Sequence, residues 1–72
     1  MSDMTISLSV NGADRDLAAG TTIADLVADV AGDDRGVAVA VDGVVLPRDK
    51  WDATVGDLGA SAVDILNAVQ GG

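Results

Sequence analysis

Seventy-two residues make one domain, residues 1–72, and a chain this short buries only about 60% of the surface its unfolded form exposes, so the core must be small. Twelve acids, every one of them Asp, stand against four basic residues, and the net charge of −8 argues against nucleic acid, whose binders carry a basic footprint. With no Cys and no His, the chain lacks the usual ligands of zinc, iron or copper, the commonest nucleophile and the commonest general base, so an enzyme is not expected.

From the N-terminus, Thr5-Ile6-Ser7-Leu8-Ser9-Val10 alternates polar and apolar residues, the period of a half-buried strand. Asn11-Gly12 follows, a hairpin signal because both residues tolerate positive φ. Ala13 to Leu17 reads as the returning strand, with Arg15 on one side and Asp14 and Asp16 on the other. Thr21 or Thr22 can cap a helix through its hydroxyl. Ile23, Leu26, Val27 and Val30 then fall at i, i+3, i+4 and i+7, one apolar stripe with Asp25 and Asp29 off it, and Gly32 ends the element. Asp33-Asp34-Arg35-Gly36 reads as a solvated loop, since no further oxygen ligands are spaced around it as a calcium loop requires.

Val37-Ala38-Val39-Ala40-Val41 suits a strand buried on both faces in the middle of a sheet. Asp42-Gly43 predicts a second hairpin, and Val44-Val45-Leu46 a short strand stopped by Pro47. Arg48 to Asp52 is a charged stretch around Trp51, the sole aromatic. Ala53 to Ala60 is expected to be loop or a turn of helix. Ala62 to Val69 is the last strand, Val63 and Ile65 on one face and Asp64 on the other, running into Gln70-Gly71-Gly72. Strands on both sides of one main helix predict an α+β sheet with the helix on one face. Parallel pairing of the first and last strands would make the last one central.

Hydrophobic residues make up 49% of the chain, too many for disorder, and no run approaches the ~18 apolar residues of a membrane span. Met1-Ser2-Asp3 lacks the positive region of a signal peptide, and a cytoplasmic location is expected. The ending carries chemistry. Two glycines without Cβ can pass a narrow channel, and a carboxylate on Gly72 has no side chain to shield it. Residues 68–72 are expected to form a flexible tail.

Gly36 to Trp51, with its Pro47-Arg48-x-x-Trp51 element, and Val63 to Gly72, with the Ala68-Val69-Gln70-Gly71-Gly72 ending, resemble the sulfur-carrier family of thiamine biosynthesis. Leu8-Ser-Val-Asn-Gly12 and Ala19-Gly20-Thr-Thr-Ile-Ala-Asp-Leu26 are similar as well. The resemblance implies a ubiquitin-like β-grasp fold, a mixed sheet of four to five strands with one main helix on one face. It implies that Gly72 is adenylated by a ubiquitin-activating-type adenylyltransferase at the expense of ATP, with no cofactor bound by the chain itself. Sulfur would come from a persulfide generated by a cysteine desulfurase, and the Gly72 thiocarboxylate would serve thiazole synthase.

On this reading Gly71 and Gln70 thread into partner sites. Val69, Ala68, Arg48, Trp51 and apolar residues exposed on the sheet near Pro47 are candidates for docking. Trp51 could instead pack over the sheet edge, and Arg48 could pair with a surface Asp. Gly59-Ala60-Ser61-Ala62 departs from the family's usual Gly-Asp turn and is expected to face solvent. A carrier for molybdopterin or cysteine synthesis, or a ubiquitin-like protein modifier, remains an alternative. Neither a membrane nor a bound metal is expected.

Overall fold

The structure is a computed structural model and describes residues 4–32 and 36–67. Five strands form one sheet: β1 (Thr5–Val10), β2 (Ala13–Ala18), β3 (Val37–Val41), β4 (Val44–Leu46) and β5 (Ala62–Asn67). The helix α1 (Ile23–Ala31) joins β2 to β3, and a short helix α2 (Val55–Leu58) precedes β5. The strand order is β2-β1-β5-β3-β4. β1 and β5 run parallel, Ser9 opposite Ala62 and Val10 opposite Val63, and every other pairing is antiparallel. The last strand is therefore central, as parallel pairing of the chain's first and last strands requires.

Each hairpin turns as its dipeptide predicts. Asn11 and Gly12 have φ of 53° and 83°, and Asp42 and Gly43 have 51° and 85°, the doubly positive turn whose twist matches that of the strands it joins. Helix α1 starts where the Thr22 hydroxyl accepts from Asp25 N at 3.0 Å. It ends at Gly32, whose N–H donates to Ala28 O from a left-handed φ of 76°.

Alternation along the strands sends one set of side chains to each face. Leu8, Val10, Val39, Val63 and Ile65 face α1 and are buried with its Ile23, Leu26 and Val27. Trp51, Val55 and Ala60 close the same core from the segment between β4 and β5. That segment is held by its backbone. Ile23 N donates to Ala53 O, Ala24 N to Trp51 O, Val55 N to Thr21 O and Gly56 N to Ala19 O. At Gly56 a Cβ would lie 2.8 Å from Ala19 O and 2.9 Å from Ala19 Cβ, so only glycine lets α2 sit this close.

Two expectations need correction. The β3 strand is not buried on both faces: only Val39 is fully buried, and Ala38 and Ala40 are half-buried, because the helices cover one face of the sheet only. Nor does the segment before β5 simply face solvent. Ala60 is part of the core, and the N–H groups of Ser61 and Ala62 are taken up by the Asp42 carboxylate. The stretch from Arg48 to Lys50 is a single 3-10 turn started by Pro47, and the turn of helix allowed within residues 53–60 is α2.

Candidate functional site

Ala68, Val69, Gln70, Gly71 and Gly72, the residues expected to carry and thread the reacting group, lie outside the described residues, as does the Asp33-Asp34-Arg35 loop. What the structure gives is the body that bears them. β5 holds the middle of the sheet, with β3 pairing along it as far as Asn67 opposite Val37. The residue that begins the ending is thus covalently next to the most enclosed strand of the fold.

Of the docking candidates, Trp51 and Arg48 are described, and they differ. Trp51 is only 4% exposed. Its ring is core, and its Nε1–H donates to Leu46 O at 3.1 Å, which satisfies the indole's polar group and ties the 3-10 turn to the end of β4. Packing therefore accounts for this residue. The exposed Arg48 guanidinium lies over the ring, 5.6 Å from its centroid, a cation–π contact worth about 0.5–1 kcal/mol at a surface. The Pro-Arg-x-x-Trp spacing is explained by this geometry: proline starts the turn, tryptophan anchors it, and arginine covers the anchor.

The face of the sheet turned away from α1 has two halves. On β1 and β2, Thr5, Ser7, Ser9, Asp14, Asp16 and Ala18 share it, and the Ser7 hydroxyl donates to Asp16 at 2.6 Å. A shallow polar groove runs there between Ser7, Ser9, Asp14, Asp16 and Ser61. On β5, β3 and β4 the same face is largely apolar. Leu66 stands opposite Ala38, and Val45 opposite Ala40, with Asp64 beyond. Leu66 is 60% exposed and Val45 70%. Val44, 68% exposed, points to the other face at the edge, beyond the cover of the helices. Large apolar side chains grouped on one face mark an interaction surface more often than single ones do. Val45 was reachable from the expectation of apolar residues near Pro47. Leu66 alternates with the buried Ile65 and so shares its face with Asp64, a pattern that by itself gives no sign of an apolar strip.

Among the described residues no three carboxylates converge on a point that could hold a metal ion. No helix among them is long and apolar enough to cross a membrane.

A mixed sheet with parallel outer-sequence strands at its centre and one main helix across it is the ubiquitin-like β-grasp fold. The ThiS family description matches residues 8–72, nearly the whole chain and its Gly-Gly end, and the chain belongs to that family. These are the small sulfur carriers of thiamine biosynthesis, which work with an adenylyltransferase and a thiazole synthase and are not themselves catalysts. No curated protein matches the chain.

Proposed function

We propose that Gly72 carries the sulfur as a C-terminal thiocarboxylate destined for a thiazole ring. A carboxylate is a poor electrophile, because its charge is delocalised and oxide is a poor leaving group. Its oxygen first attacks the α-phosphate of ATP on a ubiquitin-activating-type partner, and pyrophosphate leaves. A persulfide derived from cysteine then attacks the acyl carbon, and AMP leaves with the bonding electron pair. A second thiol attacks the resulting acyl disulfide, becomes oxidised into a disulfide, and releases the thiocarboxylate. Its sulfur is nucleophilic and passes to thiazole synthase. ATP is the partner's co-substrate, and the carrier binds no cofactor of its own.

The observation that carries this reading is the family match that runs through to Gly71-Gly72. The chemistry agrees with the composition: without cysteine, no internal thiol can capture the activated acyl group. Gly71 and Gln70 lead the tail into the partner, and Ala68 and Val69 are docking contacts with it. The apolar strip of Leu66, Ala38, Ala40 and Val45 is the docking face of the body, and Arg48, over Trp51 just after β4, is a further contact.

Intact mass spectrometry after incubation with ATP, the cognate adenylating enzyme and a sulfur source tests the proposal. The wild-type chain gains the mass of one sulfur-for-oxygen exchange. A chain lacking Gly72 gains nothing. Gly72→Ala, which crowds the attacked carbonyl, is converted at least tenfold more slowly with unchanged stability. An unchanged wild-type mass beside an active enzyme would overturn the carrier reading.

A further inference from the structure

The two hairpin turns do more than reverse the chain. Asn11 N–H donates to Val63 O at 3.0 Å, and the Asn11 side-chain oxygen accepts from Ile65 N at 2.7 Å. In a continuing parallel ladder that second bond would go to a backbone carbonyl of β1. The pairing of β1 with β5 stops at Val10 opposite Val63, because Asn11 has already turned at φ 53°. The Asn11 amide thus supplies one further rung after its own backbone has left.

Asp42 repeats the device from the opposite neighbour. Its N–H donates to Ala62 O at 2.8 Å, and its carboxylate accepts from Ala62 N at 2.9 Å and Ser61 N at 3.1 Å. Both turns therefore grip β5, one from the β1 side and one from the β3 side. The positive φ of a hairpin turn would be met as well by glycine. Glycine would offer no acceptor to β5.

We infer that Asn11 and Asp42 are positioning residues for the carrier reaction: they fix β5, the strand that precedes the tail, so that the tail starts from one fixed place on the body. This deepens the sulfur-carrier reading and rests on it. Ile65 lies seven residues before Gly72. Seven residues reach at most about 23 Å at ~3.3 Å each, so the place where β5 is held sets how far into a partner's site the reacting carbon can be presented. Misplacement of a reacting group by about 1 Å can cost on the order of a hundredfold in rate.

The test pairs substitutions that keep the turn's backbone. Asn11→Gly keeps positive φ and removes the acceptor, and Asn11→Asp keeps both. Asp42→Gly and Asp42→Asn form the matching pair. Two quantities are read on the whole chain: amide hydrogen exchange at Ile65 and Ala62, and the kcat and KM for adenylation by the cognate enzyme. Asn11→Gly should speed exchange at Ile65 about tenfold, the size of one lost net hydrogen bond, and Asp42→Gly should do the same at Ala62. Both glycine variants should lower kcat about tenfold and leave KM within about twofold, since the docking face is untouched.

Asn11→Asp and Asp42→Asn should restore both readouts. Unchanged exchange in the glycine variants would overturn the grip. Faster exchange with unchanged kcat, or a rise in KM alone, would overturn the positioning role. A wild-type chain that is not adenylated would sink the carrier reading and the positioning role together, with the exchange data still deciding the grip.

Discussion

The β1–β2 and β3–β4 hairpins are built alike and used differently. Both turn on an Asx-Gly pair with two positive φ values, and both reach β5 through the side chain of the first turn residue. Their anchoring to the rest of the fold differs. Arg15 on β2 meets Asp29 on α1 at 3.0 Å, with the two side chains 41% and 70% exposed. The β3–β4 hairpin ends on Leu46, which is bound by the buried Trp51. Their outer faces differ too: Asp14, Asp16 and hydroxyls on one, Val45, Ala40 and Ala38 on the other. The turn and the inward face suffice to specify a hairpin. The outward face is left to be chosen by something other than folding, and here only the second hairpin and β5 spend it on apolar side chains.

The largest effect should come from breaking the buried anchor. Replacing a core aromatic by alanine costs about 3–5 kcal/mol, and a chain of this length has only about 4–11 kcal/mol to lose. Trp51→Ala should therefore lose about half of the chain's stability, read as a large fall in the urea midpoint by far-UV circular dichroism. Trp51→Phe keeps a ring and loses the bond to Leu46 O, and urea titration should show a loss of about 1–3 kcal/mol. A Trp51→Ala chain as stable as wild type would mean that the β3–β4 hairpin is anchored elsewhere.

The contrast between the two outer faces predicts the next effect. Val45→Asp buries nothing new and removes nothing from the core, so stability should stay within about 0.5 kcal/mol. A charge set into an apolar contact is costly, and KM for the adenylating enzyme should rise about tenfold or more. Asp14→Lys on the other hairpin should alter KM by no more than about threefold, mainly at low salt, as a rim charge does. Equal effects of the two variants would erase the distinction between the faces.

Much of this was legible in the sequence because it depends on near neighbours. The Thr22 cap, the stripe of Ile23, Leu26 and Val27, the Gly32 stop and both turns are set by residues within a few positions of one another. What was not legible depends on pairing across the chain. Asn11 was read through its φ, whereas its amide serves Ile65, 54 positions away. Asp42 was read the same way and serves Ser61 and Ala62. The half-exposure of Ala38 and Ala40 depends on there being one layer of helices, which a run of small apolar residues does not reveal. The place of Leu66 on the open face gains meaning only from β3 and β4, which extend that face beside it and are remote from it in sequence.

The smallest effect tests the other anchor. Both partners of the Arg15–Asp29 pair are substantially exposed, so water and salt screen their attraction and holding two side chains still costs entropy. Asp29→Ala should cost no more than about 0.5 kcal/mol in urea titration, and that loss should vanish at about 1 M salt, where the screening length falls to about 3 Å. A loss several times larger that persists in salt would show that the ion pair, rather than Leu8 and Val10 on the inward face, holds the β1–β2 hairpin to α1. The two hairpins would then be anchored to equal strength by unlike means, and their difference would lie in the outward face alone.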